Sequence, residues 1–259
     1  MNHEHTNKLH RLRTLHLFAG SGGGILADIL LGHQPVCAVE IEPYCQQVLH
    51  ARQKDGSLPW FPIFDDVKTF DGKPWRGLVE VIAGGFPCVD ISVAGKGAGI
   101  EGERSGLWGE MARIICEVRP RYVFVENSPA LVIRGLGRVL GDLAALGYDA
   151  QWGVLGAKSV GGFHERERIW IHAIHSDSDG IQAAQPQLSV LETQDAYKGH
   201  ARNLAGTIGV DGIRGLVDAY VQRDGNAVAF AMDRFKAIGN GQVPAVAALA
   251  WRTLSEGII

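Results

Sequence analysis

Cysteine is scarce in this chain of 259 residues, and the four present (Cys37, Cys45, Cys88 and Cys116) include no C-x-x-C pair. That spacing argues against a disulfide frame and against a zinc site, and it fits a reducing compartment, so a cytoplasmic protein is expected. Long apolar runs are missing too. No stretch approaches the roughly 18 residues of a membrane span, and no membrane partner is expected. The stretch MNHEHTNKLHRLRT is polar and carries no secretory pattern. Charge of one sign is also lacking: 25 basic and 28 acidic residues leave a net charge of −3, so nothing global advertises a polyanionic partner. A basic groove would have to be local, supplied by Arg104, Arg113, Arg119 and Arg121 or by Arg166 and Arg168. An apolar share of 46% and a charged share of 20% belong to an ordinary globular protein with one large domain, or one large and one small.

Glycine, by contrast, is plentiful and sits at the ends of apolar runs. Thr14 to Phe18 reads as a strand that runs into Ala19-Gly20-Ser21-Gly22-Gly23-Gly24, after which Ile25 to Leu31 continues as a helix closed by Gly32. Strand, glycine loop and helix bring backbone amides up to a ligand. The strand Val36 to Val39 ends on Glu40, about twenty residues after the loop, where a carboxylate can bind ribose hydroxyls. A nucleoside-containing cofactor follows, although Gly22-x-Gly24-x-x-Ala27 also reads as a dinucleotide fingerprint. Pro43 to Arg52 is helical. In Phe64-Asp65-Asp66-Val67, Asp66 either receives an adenine amino group or caps a turn.

Leu78 to Ala83 reads as a buried strand stopped by Gly84-Gly85-Phe86-Pro87, with Cys88 next and a glycine-rich loop beyond it, a placement suited to a nucleophile under a lid. Leu107 to Val118 has helical spacing and stops at Pro120. Arg121 to Val125 is a strand running into Glu126-Asn127-Ser128-Pro129, and one helix is expected from about Leu131 to Leu146. Further on, strand alternation would set His164, Arg166 and Arg168 on one face and Ile169, Ile171 and Ala173 on the other. His164-Glu165 lacks the second histidine of a metalloprotease, and His172 and His175 would face opposite ways, so no metal site is expected. From Ser176 to about Ala231 the pattern weakens. Gly239 to Pro244 is a turn, followed by a helix from Ala245 to Leu254. Alternating strands and helices imply an open, mostly parallel α/β sheet whose carboxyl edge gathers the glycine loop, Glu40, Pro87-Cys88 and Glu126.

Taken together, Phe18 to Gly23, Glu40, Asp66-Val67, Gly84 to Cys88, Glu126-Asn127, Arg166-x-Arg168 and Gly239-Asn240 resemble the DNA cytosine-5 methyltransferases of bacterial and phage type. The resemblance implies a Rossmann-like α/β fold of the S-adenosylmethionine-dependent methyltransferases, with helices on both faces of a mostly parallel sheet and a small, shortened target-recognition lobe. Residues 1–175 and 233–259 would form the catalytic, cofactor-binding domain and 176–232 the reduced recognition region. It implies S-adenosylmethionine held by Phe18, Gly20, Ser21, Gly22, Gly23, Glu40, Asp66 and Asn240. By the same resemblance Cys88 attacks carbon 6 of a flipped-out cytosine, Glu126 acts at ring nitrogen 3, and Arg166 and Arg168 complete the catalytic set. The implied partners are double-stranded DNA and a restriction endonuclease or a chain that supplies specificity.

Two departures stand out: Val89 replaces the glutamine common after the nucleophile, and about seventy residues separate Arg168 from Gly239 where the family places a longer recognition domain. Three other readings compete. They are a weak or inactive remnant that binds DNA or cofactor, the tRNA-methylating branch of the family, and an NAD-dependent oxidoreductase, which leaves Cys88, Glu126 and the arginine pair unexplained.

Overall fold

The computed structural model describes residues 11–87, 106–162, 165–176 and 241–255, and every structural statement here concerns those residues. Seven strands form one sheet: β1 (Arg13–Leu17), β2 (Gln34–Val39), β3 (Ile63–Phe64), β4 (Val81–Gly84), β5 (Tyr122–Asn127), β6 (Tyr148–Leu155) and β7 (Arg168–His175), in the order β3-β2-β1-β4-β5-β7-β6. The first five pair in parallel, whereas β7 lies antiparallel between β5 and β6. Strand order reverses between β1 and β4. The crevice that such a reversal opens at the carboxyl ends of the strands is where α/β sheets bind ligands.

The helices are α1 (Gly23–Leu31), α2 (Pro43–Lys54), α3 (Leu107–Val118), α4 (Leu131–Arg134), α5 (Leu136–Ala145) and α6 (Pro244–Ser255). Alternation along the strands sorts the core onto two faces. Leu15, Leu17, Val123, Val125, Ile169 and Ile171 pack under α3 and α5 through Trp108, Met111, Ile114 and Val139. Val81, Ala83, Phe124 and Trp170 pack on the opposite face under α1 and α6 through Ala27, Val246, Ala250 and Trp251. Both faces are covered, which is why the central strands read as unbroken apolar runs. No helix among the described residues is long and apolar enough to cross a membrane.

Several boundaries differ from the sequence reading, each for a physical reason. The strand expected from Leu78 begins only at Val81, because Leu78 and Val79 close a turn onto Trp75 and Leu78 is exposed. Glu126 and Asn127 belong to β5 itself, since their backbones stay paired with Trp170 and Ile169 of β7. The single helix expected over residues 131–146 is two, interrupted at Gly135. β6 was not anticipated: Asp149, Gln151 and Gly153 dilute its apolar content, and it needs only one neighbour because it is an edge. Arg166 has φ +36 and precedes β7, so strand alternation does not reach it.

His172 is a buried polar group on the α6 face. It has no exposed surface, and its ring packs 4.6 Å from Trp251 and 5.6 Å from Tyr122. Neither ring nitrogen finds a hydrogen-bond partner among the described residues. Burial, with a smaller contribution from His33, lowers its pKa from 6.5 to about 4. The folded protein therefore refuses a proton that the unfolded chain accepts. Stability from this source is complete above pH 6.5 and is lost as pH falls toward 4. Replacing His172 by Phe, which keeps a ring against Trp251, should flatten the acid side of the stability profile. Denaturant melts at about pH 7 and about pH 4.5 should show the wild type losing roughly 2 kcal/mol more than the variant between the two. Parallel losses in both proteins would refute the assignment.

Candidate active site

The cofactor-type loop starts where β1 ends. Phe18 takes the left-handed backbone conformation at φ +54, unusual for a residue with a side chain and typical of functional sites. The loop then climbs onto α1, anchored by the Ala19 amide on the Val39 carbonyl at 3.1 Å. Glu40 closes β2 beside it and is buried. The Gly20 amide donates to Glu40 Oε2 at 2.6 Å and the Glu42 amide to Oε1 at 2.8 Å. Burial raises the Glu40 pKa, and these two backbone donors oppose that rise. The Ile41 amide is a third backbone donor to it, so of the roughly four acceptor positions of a carboxylate about one is left for a ligand hydroxyl.

Ser21 is buried in the same loop. Gly23 and Gly24 lie against the segment before α6: a Cβ on Gly23 would clash with the Gln242 carbonyl, and one on Gly24 would stand 2.6 Å from Gln242 Oε1 and 3.4 Å from His16 Nδ1. Beneath the loop, His16 Nε2 meets Asp28 Oδ2 at 2.8 Å, and His33 approaches the other oxygen at 3.3 Å. Asp66 caps a turn, its Oδ1 accepting the Lys68 amide at 2.9 Å. A cavity of about 500 Å³ opens beside it, lined by Phe64, Asp66, Phe70 and Trp75 among others.

The second half of the site stands at the ends of β4 and β5. Gly84 and Gly85 do more than stop a strand. A Cβ at Gly84 would stand 2.5 Å from the Leu17 carbonyl, and one at Gly85 would stand 2.6 Å from Glu126 Oε2. Glu126 is 8% exposed and pairs with Arg168, Oε1 to Nε, at 2.8 Å. Burial raises its pKa, the charges of Arg168 and Arg166 and a hydrogen bond from Gln242 pull the other way, and burial prevails. The Arg166 guanidinium donates to the Gly241 carbonyl, tying the approach to β7 to the segment before α6. Asn127 Nδ2 donates to the Phe86 carbonyl at 3.1 Å and so fixes the path of the chain up to Pro87.

Of the residues singled out by sequence, Phe18, Gly20, Ser21, Gly22, Gly23 and Glu40 gather at the ends of β1 and β2, and Glu126, Arg166 and Arg168 gather at the end of β5. Asp66 follows β3 on the same edge. Cys88, Asn240, His164, the loop from Val89 to Arg104 and residues 177–232 lie outside the described residues. A basic groove that includes Arg113, Arg119 and Arg121 does not form with this edge. Arg113 is spent on Glu110, Glu117 and the carbonyls of Val67 and Phe70, while Arg119 and Arg121 lie between α3 and the start of β5, at the other end of the sheet. Gln242 escaped the sequence reading, which saw only a turn. Its one signal was a long amide side chain between Gly241 and Val243-Pro244, directly before a helix.

A family model described as C-5 cytosine-specific DNA methylase matches residues 12–215. Among individual relatives, the type II methyltransferase M.CviJI of Paramecium bursaria Chlorella virus IL3A is 35% identical over 167 residues, covering 64% of this chain and 44% of its own. M.Eco47II of Escherichia coli is 32% identical over 192 residues, covering 71% and 45%. The chain thus spans less than half the length of these relatives. Two solved structures share the fold: S. pombe Dnmt2 methyltransferase (TM-score 0.51, 19% identity, 64% of this chain and 50% of that one) and a Spodoptera frugiperda DNMT2 variant (TM-score 0.54, 17% identity, 68% and 54%). In this fold the antiparallel β7 enters between β5 and β6, unlike the all-parallel 3-2-1-4-5-6 order of dinucleotide-binding domains. With the family model covering most of its length and the cofactor loop, buried Glu126 and arginine pair on one sheet edge, the chain belongs to the C-5 cytosine-specific DNA methylase family.

Proposed function

We propose that this chain transfers a methyl group from S-adenosylmethionine to carbon 5 of cytosine in double-stranded DNA. The observation that carries the reading is Glu126: a buried carboxyl with a raised pKa, held by Arg168 on the same sheet edge as the Glu40 cofactor loop. The loop of Gly20, Ser21, Gly22 and Gly23 suits the cofactor, because Glu40 keeps acceptor capacity for a ribose hydroxyl and Gly20 faces open space for close backbone approach. Phe18 and Asp66 would flank the nucleoside, with Asn240 contributing from the segment before α6. Once held there, S-adenosylmethionine supplies an electrophilic methyl group.

The protein's own part is to make carbon 5 nucleophilic. Cys88, as thiolate, forms a bond from its sulfur to carbon 6 of a base flipped out of the duplex, and the electrons of the 5,6 double bond move toward carbon 5 and the ring. Glu126 meets the charge that builds at nitrogen 3 with a proton or a hydrogen bond. A carboxyl whose pKa burial raises is suited to that donation, and Arg168 both orients it and steadies it after the proton leaves. Carbon 5 then bonds to the methyl group, whose former sulfur keeps the bonding pair. A base takes the carbon 5 proton, the electrons of that C–H bond restore the 5,6 double bond, and the bond from carbon 6 to sulfur breaks to return Cys88 as thiolate. In this reading residues 1–175 and 233–259 form the catalytic domain, and 176–232 form a reduced recognition region. A restriction endonuclease or a specificity-supplying chain is its expected partner.

DNA containing 5-fluorocytosine should trap the protein in a denaturant-stable complex that requires S-adenosylmethionine, and Cys88→Ala should trap none; equal trapping by the variant would exclude the covalent route. Calorimetry should separate the two carboxylates. Glu40→Ala should weaken S-adenosylmethionine binding about tenfold or more, from the ~1.5–3 kcal/mol of lost charged hydrogen bonds, whereas Glu126→Ala should bind the cofactor nearly as well and lose turnover. The reverse pattern would overturn the division of the sheet edge.

The short recognition region sets a further expectation. Each correctly read base pair contributes roughly 1–3 kcal/mol, and a region of this size presents one or two loops, so a target of about two to four base pairs with salt-sensitive binding is expected. Bisulfite sequencing of a methylation-free host expressing the chain tests it. A site of six defined bases, completed by the purified chain alone, would contradict the truncated-reader account.

A further inference from the structure

Among the described residues, one long side chain that reaches both halves of the site belongs to neither set of residues discussed above. Gln242 precedes α6, more than two hundred residues along the chain from the loop it touches. Its carbonyl fills the space a Cβ on Gly23 would need, and its Oε1 occupies the space beside Gly24, where His16 Nδ1 also faces. Its Nε2 end turns the other way, 3.6 Å from where a Gly85 Cβ would stand, a point itself 2.6 Å from Glu126 Oε2. The amide hydrogen-bonds to the Glu126 carboxylate. Arg168 holds the opposite oxygen, Oε1. The carboxyl is therefore gripped from two sides, by a cation on β7 and by a neutral amide from the segment returning to the sheet.

We propose that Gln242 is a positioning residue that aligns the Glu126 carboxyl while its backbone bears on Gly23, so that alignment of the acid depends on the seating of the cofactor loop against the segment before α6. The choice of an amide is chemically apt. A cation in that place would hold Glu126 firmly as the anion and oppose its use as an acid. A glutamine can donate to the carboxylate through Nε2 and, with the amide turned over, accept from the protonated acid through Oε1, so it keeps contact in both states. His16, fixed by Asp28, faces the same space beside Gly24 as the Gln242 amide oxygen. The three glycines at positions 23, 24 and 85 are the room that this side chain and the Glu126 carboxyl require.

This inference rests on the proposed function, since it assigns Glu126 a proton to handle, but its test does not depend on turnover alone. The full-length chain with ¹³C-labelled glutamate, compared with its Glu126→Gln variant to assign the resonance, reports the titration of Glu126 directly. Gln242→Leu keeps the length and removes the amide; its Glu126 titration should move to higher pH, since a donor to the charged form has gone. The same variant should bind S-adenosylmethionine within about threefold of wild type yet form the Cys88 adduct on 5-fluorocytosine DNA about tenfold more slowly, the worth of one hydrogen bond to a charged group. Gln242→Asn, a shorter amide, should restore part of both. If Gln242→Leu does not fold, Gln242→Glu serves, because a second carboxyl beside Glu126 must raise the same titration. An unmoved Glu126 titration in a folded variant overturns the proposal. An unmoved adduct rate beside a moved titration overturns the positioning role as well. Failure of the wild type to form any adduct strikes the proposed function instead and leaves the titration to decide the contact.

Discussion

Crowding at the ends of three neighbouring strands governs this site. β1, β4 and β5 converge so closely that the backbone after β4 has no space for a side chain: the Leu17 carbonyl excludes a Cβ at residue 84, and the Glu126 carboxylate excludes one at residue 85. That closeness lets an acid at the end of β5 lie beside a loop that leaves β1, with only two glycines between. The same constraint explains why Glu126 is buried without being stranded. The sheet edge offers it a cation from β7, an amide from the segment before α6 and almost no water. An isolated carboxylate there would be costly, and it is tolerated because both oxygens are engaged.

The antiparallel strand β7 is the second consequence of that edge. A parallel neighbour to β5 would bring another strand end to the site. An antiparallel one brings a strand beginning, so Arg168 stands beside Glu126 at the first residue of β7 and Arg166 arrives from the loop before it. The left-handed turn at Arg166 aims its guanidinium at the Gly241 carbonyl and not along the strand face. The cationic side of the site is thus made by a reversal of strand direction.

Much of this was legible in the residues. The glycine loop, Glu40, the apolar run into Gly84-Gly85 and the α3 periodicity are local patterns, and each appears within a few residues of its expected place. What stayed hidden was set by tertiary context. β6 carries too many polar residues to announce itself and exists because β7 needs an edge partner. Gly135 splits a stretch whose apolar spacing on both sides looks continuous. The arginines Arg113, Arg119 and Arg121 look free in sequence, but Arg113 is bound up in capping the turn after β3, and Arg119 and Arg121 stand at the other end of the sheet. Gln242 was invisible for a deeper reason: nothing within ten residues of it records that its neighbours are Gly23 and Gly85.

The dependence on α6 reaches back to the ribosome. Ala27, Val81, Phe124 and Trp170 face a helix that is made after every strand of the sheet. While residues 177–240 are being made, that flank of the sheet has α1 but not α6 over it, and its contacts with α6 are long-range ones that form late. A growing chain in this condition presents an apolar surface to other chains and to chaperones until α6 has been made. For a sheet of this build, the state most exposed to aggregation is the one in which all seven strands exist and α6 does not.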